Sequence, residues 1–169
     1  MPTVLRGRII LLGSPLTGKT VFLNGHSGDY IPTVNVSSSL KSVSLPSEHK
    51  YKFEFIMQDT PGSDIYASYL DSLTDNPCFV LLFIDTSNRK SFERVKTMLE
   101  SLPSHCHVSV VTSRHSDENK VLEKDIKKWI EDRSLTSFHL NNSEDDTLTS
   151  VLSSVLSKSA AQLLDLYKN

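Results

Sequence analysis

The sequence predicts an α/β fold in which a mixed six-stranded sheet, with one antiparallel strand, carries helices on both faces. Three observations predict it. The runs at 9–12, 78–84 and 108–111 are short and apolar, as strands covered on both faces are. Segments with apolar residues at helical spacing separate most of the strands, so strand and helix alternate along the chain. The exception is Pro46, Ser47, Glu48, His49 and Lys50, a turn-forming stretch that joins two alternating segments and inserts one antiparallel hairpin.

Residues 8–12 form a buried strand, with Val4 and Leu5 extending it. A helix starts near Gly18 and cannot run far, because Gly25, Gly28 and Pro32 interrupt the chain soon after, and residues 26–35 have loop composition. Residues 36–45 alternate as an edge or half-buried strand, with Val36, Ser38 and Leu40 set against Ser39 and Lys41, then Val43 and Leu45. Tyr51, Phe53, Phe55 and Met57, alternating with Lys52, Glu54 and Ile56, make the return strand, which Asp59, Thr60, Pro61 and Gly62 end with turn chemistry. Ile65, Tyr69, Leu70 and Leu73 then have helical spacing. The uninterrupted run 78–84 is the central strand, and Asp85, Thr86, Ser87 and Asn88 cap a helix carrying Phe92, Val95, Met98, Leu99 and Leu102. Beyond the strand at 108–111, Leu122, Ile126, Trp129 and Ile130 mark another helix, and Phe138, His139 and Leu140 a weak last strand. A long amphipathic helix comes last, with Leu148, Val151, Leu152, Val155, Leu156, Leu163 and Leu164 on its apolar side. Its serine-rich middle (Ser150, Ser153, Ser154, Ser157, Ser159) is expected to be a solvated face. No linker or repeat divides the chain, so residues 1–169 are expected to form a single domain. Sheets of this kind take ligands beyond the carboxyl ends of their strands, where the loops after Leu12, Gln58, Ile84, Val111 and Leu140 meet.

Composition narrows the partners. Eighteen Lys and Arg against twenty Asp and Glu leave a net charge of −2, which excludes an electrostatic case for nucleic acid or an anionic membrane. Cys78 and Cys106 stand in separate segments without a C-x-x-C pattern, and no signal peptide precedes Leu5. Two reduced thiols in a cytoplasmic protein are expected. No apolar run is long enough to cross a bilayer. The chain starts Met1, Pro2 and ends Leu166, Tyr167, Lys168, Asn169, without a glycine to myristoylate or a terminal cysteine to prenylate, so no direct membrane anchor is expected.

The first strand leads into Gly13, Ser14, Pro15, Leu16, Thr17, Gly18, Lys19 and Thr20, which match G-x-x-x-x-G-K-[ST] between a strand and a helix start. The chemistry needs these residue types. Gly13 and Gly18 allow backbone conformations that a Cβ would resist. Successive N–H groups can then point inward at a phosphate chain, and the next helix adds the positive end of its dipole. Lys19 would reach the β- and γ-phosphates, and the Thr20 hydroxyl would ligate Mg²⁺.

This order of elements, with its motifs in register, resembles the Ras-superfamily small GTPases over nearly the whole chain. The resemblance implies the G-domain version of the P-loop NTPase fold, with GTP or GDP and Mg²⁺ as cofactors. Tyr30, Ile31, Pro32 and Thr33 look like the family's first switch, in which the threonine ligates Mg²⁺ and senses the γ-phosphate. Asp59, Thr60, Pro61 and Gly62 match the D-x-x-G of the second switch. There Asp59 would hold Mg²⁺ through water and the Gly62 N–H would meet the γ-phosphate. Thr20, Thr33 and Asp59 are thus the implied metal ligands.

The departures from the family pattern matter as much. Where typical members carry the glutamine that orients the attacking water, this chain has Ser63, too short for that task. Asp64 is no substitute, since its carboxylate would be repelled by a γ-phosphate. Pro15 removes one N–H donor from the cradle. No residue is therefore assigned as catalytic, and intrinsic hydrolysis is expected to be very slow or absent. The base motif N-K-x-D aligns with Arg114, His115, Ser116 and Asp117. Asp117 keeps the carboxylate that accepts from guanine, while Arg114 or His115 could stack on a purine. Asn142 and Ser143 fall where the last base motif would lie, so a backbone N–H there could meet the guanine oxygen. Degraded base motifs and the missing anchor look most like the Rab-like outliers, among them a subunit of the intraflagellar transport particle. That resemblance implies a nucleotide-ordered subunit of a larger protein complex, docking through switch regions 28–40 and 62–74, in the cytoplasm and in a cilium or flagellum. The alternatives are an active switch whose partner supplies hydrolysis, and a nucleotide-independent pseudo-GTPase scaffold. A small P-loop kinase would want an arginine-rich lid, and Arg89, Arg94 and Arg114 are not clustered as one in the sequence.

Overall fold

Among the described residues six strands pair in the order β2-β3-β1-β4-β5-β6, and only β2 runs antiparallel to its neighbour. The strands are β1 (Thr3–Gly13), β2 (Ser37–Val43), β3 (Tyr51–Asp59), β4 (Cys78–Asp85), β5 (His107–Ser113) and β6 (Thr136–Leu140). The helices are α1 (Lys19–Asn24), α2 (Arg89–Ser101), α3 (Lys120–Asp132) and α4 (Asp145–Lys168). The computed structural model describes residues 1–15, 17–24, 37–60, 78–114, 120–140 and 145–169. The helix expected at 65–73 lies outside them, as do Leu16, Thr33, Gly62, Ser63, Asp64, His115, Asp117, Asn142 and Ser143. The expected mixed sheet with its one antiparallel strand is present.

Strand periodicity divides the core into two layers. Leu5, Ile9 and Leu11 of β1, with Phe53, Phe55 and Met57 of β3, face α1 and α4, where Phe22, Leu23, Val155 and Leu163 meet them. Ile10 and Leu12, with Val80, Leu82 and Ile84, face Phe92, Val95 and Met98 of α2 and Leu122, Ile126 and Ile130 of α3. All eight residues of β4 are buried, as its unbroken apolar sequence requires of a strand covered on both faces. The Asn88 side chain caps α2 by accepting from the Lys90 and Ser91 N–H groups. The chain leaves α2 at Leu102, whose N–H donates to Leu99 O just before Pro103.

Two details differ from the sequence expectation. β2 stops at Val43, and its inward face is the one bearing Val43, which with Leu45 packs against the core. With a period of two, Leu40 falls on the opposite face, where it pairs with Ile56, and both are exposed. Ser159 is buried rather than solvated, because it lies one helical turn after buried Val155. Ser150, Ser153 and Ser154 are exposed as expected.

Gly7 shows how tightly β1 is wedged between its neighbours. A Cβ there would stand 2.8 Å from Cε1 of Phe55, which is fully buried and set edge-on to Phe79 with ring centroids 5.8 Å apart. Neither ring has room to give. Gly7→Ala should cost about 1–3 kcal/mol in denaturant unfolding. A neutral or stabilising result would mean that the Phe55 and Phe79 rings repack freely.

Candidate functional site

β1 delivers the phosphate loop to the carboxyl edge of the sheet, and β4 beside it leaves no room for a side chain at the turn. Gly13 pairs in register with Phe83, and its φ is +152°. A Cβ on Gly13 would lie 2.7 Å from the Phe83 carbonyl oxygen, so this position requires glycine on two counts. Gly18 has φ +92° and open space where a Cβ would stand. Its requirement is conformational, and the open side leaves the backbone approachable by a ligand. Pro15 is exposed on the loop and contributes no N–H.

Hydroxyl groups tie the loop down. Thr17 is buried and donates through Oγ1 to the Ser14 carbonyl at 2.7 Å. Ser113, at the end of β5, donates to the Thr17 carbonyl at 3.2 Å from a fully buried position. Thr60, just past β3, donates to the Leu11 carbonyl at 2.6 Å. A hydroxyl within the loop and one at the end of β5 thus fix the loop, and one just past β3 fixes the strand that enters it. Sequence reasoning missed Ser113 and Thr60 as supports; the only signal was a small hydroxyl residue at the carboxyl end of each strand.

Lys19 begins α1 and is 6% exposed. Its Nζ donates to the Gly13 and Ser14 carbonyls at 2.9 Å each, so the ammonium lies beneath the loop. Burial lowers its pKa to about 8; the Asp59 carboxylate pulls in the opposite direction, and the Arg94 guanidinium adds to the lowering. Next in the chain, the Thr20 hydroxyl donates directly to Oδ2 of Asp59, which has no exposed surface. The two residues that the sequence analysis paired as metal ligands are therefore brought into contact from 39 positions apart. A hydroxyl and a carboxylate side by side are hard oxygen donors, the set that suits Mg²⁺ when water and phosphate supply the remaining ligands. Among the described residues no cluster of three or more His, Cys, Asp or Glu side chains could hold a metal by itself.

On the expected base side, Arg114 comes after Ser113 at the end of β5, and its Nη1 stands 3.8 Å from a carboxylate oxygen of Glu123 on α3. The three arginines weighed against a kinase lid disperse. Arg89 meets Asp125 at 3.3 Å, Arg114 meets Glu123, and the charge of Arg94 bears on Lys19.

The sequence profile of the Ras family matches residues 8–158. Similar chains include a probable Rab-related GTPase of Acanthamoeba polyphaga mimivirus, 24% identical over 89% of this chain and 75% of that one. Ras-related protein Rab-10 of Diplobatis ommata is 27% identical over 61% of this chain and 52% of its own length. Intraflagellar transport protein 27 homolog of Bos taurus is 28% identical over 59% of this chain and 57% of its own. The match thus spans little more than half the length of the last two. The matched segment runs from the middle of β1 into α4 and takes in the phosphate loop, Asp59 and strands β2 to β6, and the chain belongs to the Ras family of small GTPases.

Proposed function

We propose that this Ras-family member holds GTP or GDP with Mg²⁺ in the site built on Gly13, Gly18, Lys19, Thr20 and Asp59. In this reading it hydrolyses the triphosphate slowly or not at all, and it uses the bound nucleotide to order a surface that docks on a larger protein complex. The observation that supports the grip most directly is the buried ammonium of Lys19 beside the Thr20–Asp59 pair. A bound Mg²⁺ would neutralise phosphate charge, with Thr20, Asp59 and Thr33 as its protein ligands. Lys19 would exchange part of its carbonyl solvation for phosphate oxygens, and the loop N–H groups would fix the phosphates' position. Gly62 would meet the γ-phosphate, and Asp117, with Arg114, His115, Asn142 and Ser143 around the ring, would give guanine its preference.

Ser63 and Pro15 support weak hydrolysis. A serine at that place cannot reach a water in line with the γ-phosphate, and the proline deletes a donor from the cradle. The subunit role is supported by the relative named for intraflagellar transport, which also points to a cilium as the place of action. Among the described residues no helix is long and apolar enough to cross a membrane.

Three measurements test the reading. Purified protein, denatured and analysed by chromatography, should release guanine nucleotide, and Lys19→Ala should weaken binding of a non-hydrolysable GTP analogue by at least about thirtyfold. Absence of any bindable nucleotide, or preference for ATP, would contradict it. In single-turnover assays without a partner, GTP should be cleaved no faster than about 3 × 10⁻⁴ per second, the scale of an unassisted small GTPase. Several turnovers per minute would show that another residue does the work expected of the missing glutamine.

A further inference from the structure

β4 and β5 bring the two cysteines of the chain side by side. Phe79 pairs with His107 in the parallel ladder between these strands. One residue earlier on each, Cys78 opens β4 and Cys106 stands just before β5. Alternation along β4 puts Cys78 with Val80, Leu82 and Ile84 on the face that α2 covers, and Cys106 packs against the same cluster with Val108. His107, the next residue, points to the other face, where its ring stacks on Phe79 with centroids 5.1 Å apart in the layer under α4. The two cysteine side chains thus share one face of adjacent strands, and the Cys78 thiol is in hydrogen-bond contact with the Cys106 sulfur.

The thiols differ in access. Cys78 is 1% exposed, while Cys106 is only partly covered and ends a turn that its N–H closes on the Pro103 carbonyl at 3.1 Å. Burial pushes the Cys106 thiol up, and the contact with Cys78 pulls it part of the way back. Thiol chemistry at this pair therefore starts at Cys106. Among the described residues no group of three or more His, Cys, Asp or Glu side chains could hold a metal, so the chemistry open to the pair is that of a dithiol.

We propose that Cys78 and Cys106 form a reversible redox site, a dithiol that small disulfides of the glutathione class convert to an intramolecular disulfide. The Cys106 thiolate attacks one sulfur of the small disulfide and breaks its S–S bond, and one small thiol leaves with the proton that Cys106 gave up. Cys78, already in contact, then attacks the Cys106 sulfur of the mixed disulfide, and its proton goes to the second small thiol as that leaves. The chain loses two electrons and two protons, and the small disulfide gains both. A strand spacing of about 4.8 Å lies inside the range of Cα separations a disulfide accepts, about 4.4–6.8 Å. Side chains on one face point the same way, however, and a bridge must draw their Cβ atoms in to about 3.8 Å. That closure strains the bond and keeps it reducible, which suits a reversible site rather than a permanent staple. The pair lies at the start of β4, whereas Gly13 of the phosphate loop pairs with Phe83 towards its far end, so the inference does not rest on the nucleotide reading.

The test equilibrates the native full chain in glutathione buffers with a rising share of the disulfide form, followed by acid quenching, unfolding, alkylation with iodoacetamide and mass analysis. Wild type should lose both alkylatable thiols together, stay monomeric, lose the mass of two hydrogen atoms and yield one cross-linked peptide pair joining Cys78 to Cys106. Dithiothreitol should restore both thiols. Cys78→Ala, folded by circular dichroism, should accumulate the glutathione adduct on Cys106, and Cys106→Ala should stay unmodified. A time course of wild type gives the same information without a variant, since the Cys106 adduct should appear first and then give way to the bridge. Wild type that keeps both thiols in the most oxidising buffer, or that stops at the adduct, would overturn the proposal. A bridge that forms only in denaturant, or that links two chains, would overturn it as well. Adduct on Cys78 of Cys106→Ala as fast as on Cys106 of Cys78→Ala would overturn the order of attack.

Discussion

A buried lysine charge governs this end of the molecule. Lys19 is shut away from water, satisfied by two backbone carbonyls, and held low in pKa by its own burial. Such a group is costly to keep, because desolvation of an ammonium is repaid only in part by neutral acceptors. Everything around it serves to hold it there. Gly13 lets β1 turn against Phe83, Thr17 and Ser113 fix the loop, and Asp59 supplies the nearby negative charge. A phosphate chain would convert this unfavourable arrangement into a favourable one, which is the physical meaning of a preformed anion site.

Holding a nucleotide and cleaving it make different demands on such a site. Grip needs a cation, oxygen donors for a hard metal and a backbone open to phosphates, and the described residues bring Lys19, Thr20, Asp59 and Gly18 together. Cleavage needs a water held in line, and the family's residue for that is Ser63 in this chain. Membership of the Ras family therefore fixes the scaffold and not the rate.

The strands and the phosphate loop could be read from the chain because their signals are local. An unbroken apolar run at β4, alternation at β3 and a glycine-bounded loop before Lys19 each lie within a dozen residues. Contacts between distant segments could not be read this way. Nothing around Gly7 announces that it makes space for Phe55 and Phe79, and nothing around Ser113 announces that it reaches Thr17. Ser134 has φ 52° where α3 ends, with its N–H bonded to Glu131 and that of Leu135 to Ile130. A helix end of this shape usually advertises itself with glycine, and serine gives no such signal.

The protonation of Lys19 offers the most direct measurement of the central claim. Its proton leaves near pH 8 in the folded chain and near 10.5 in the unfolded one, so between these values the unfolded state binds more protons and stability rises with pH. Stability of nucleotide-free protein should therefore climb across this window by on the order of 3 kcal/mol relative to a Lys19→Met variant. With Mg²⁺ and a GTP analogue bound, the phosphates should hold the ammonium charged and abolish the climb. Parallel pH profiles for wild type and variant, with and without nucleotide, would contradict the account of Lys19 as a buried cation that an anion completes.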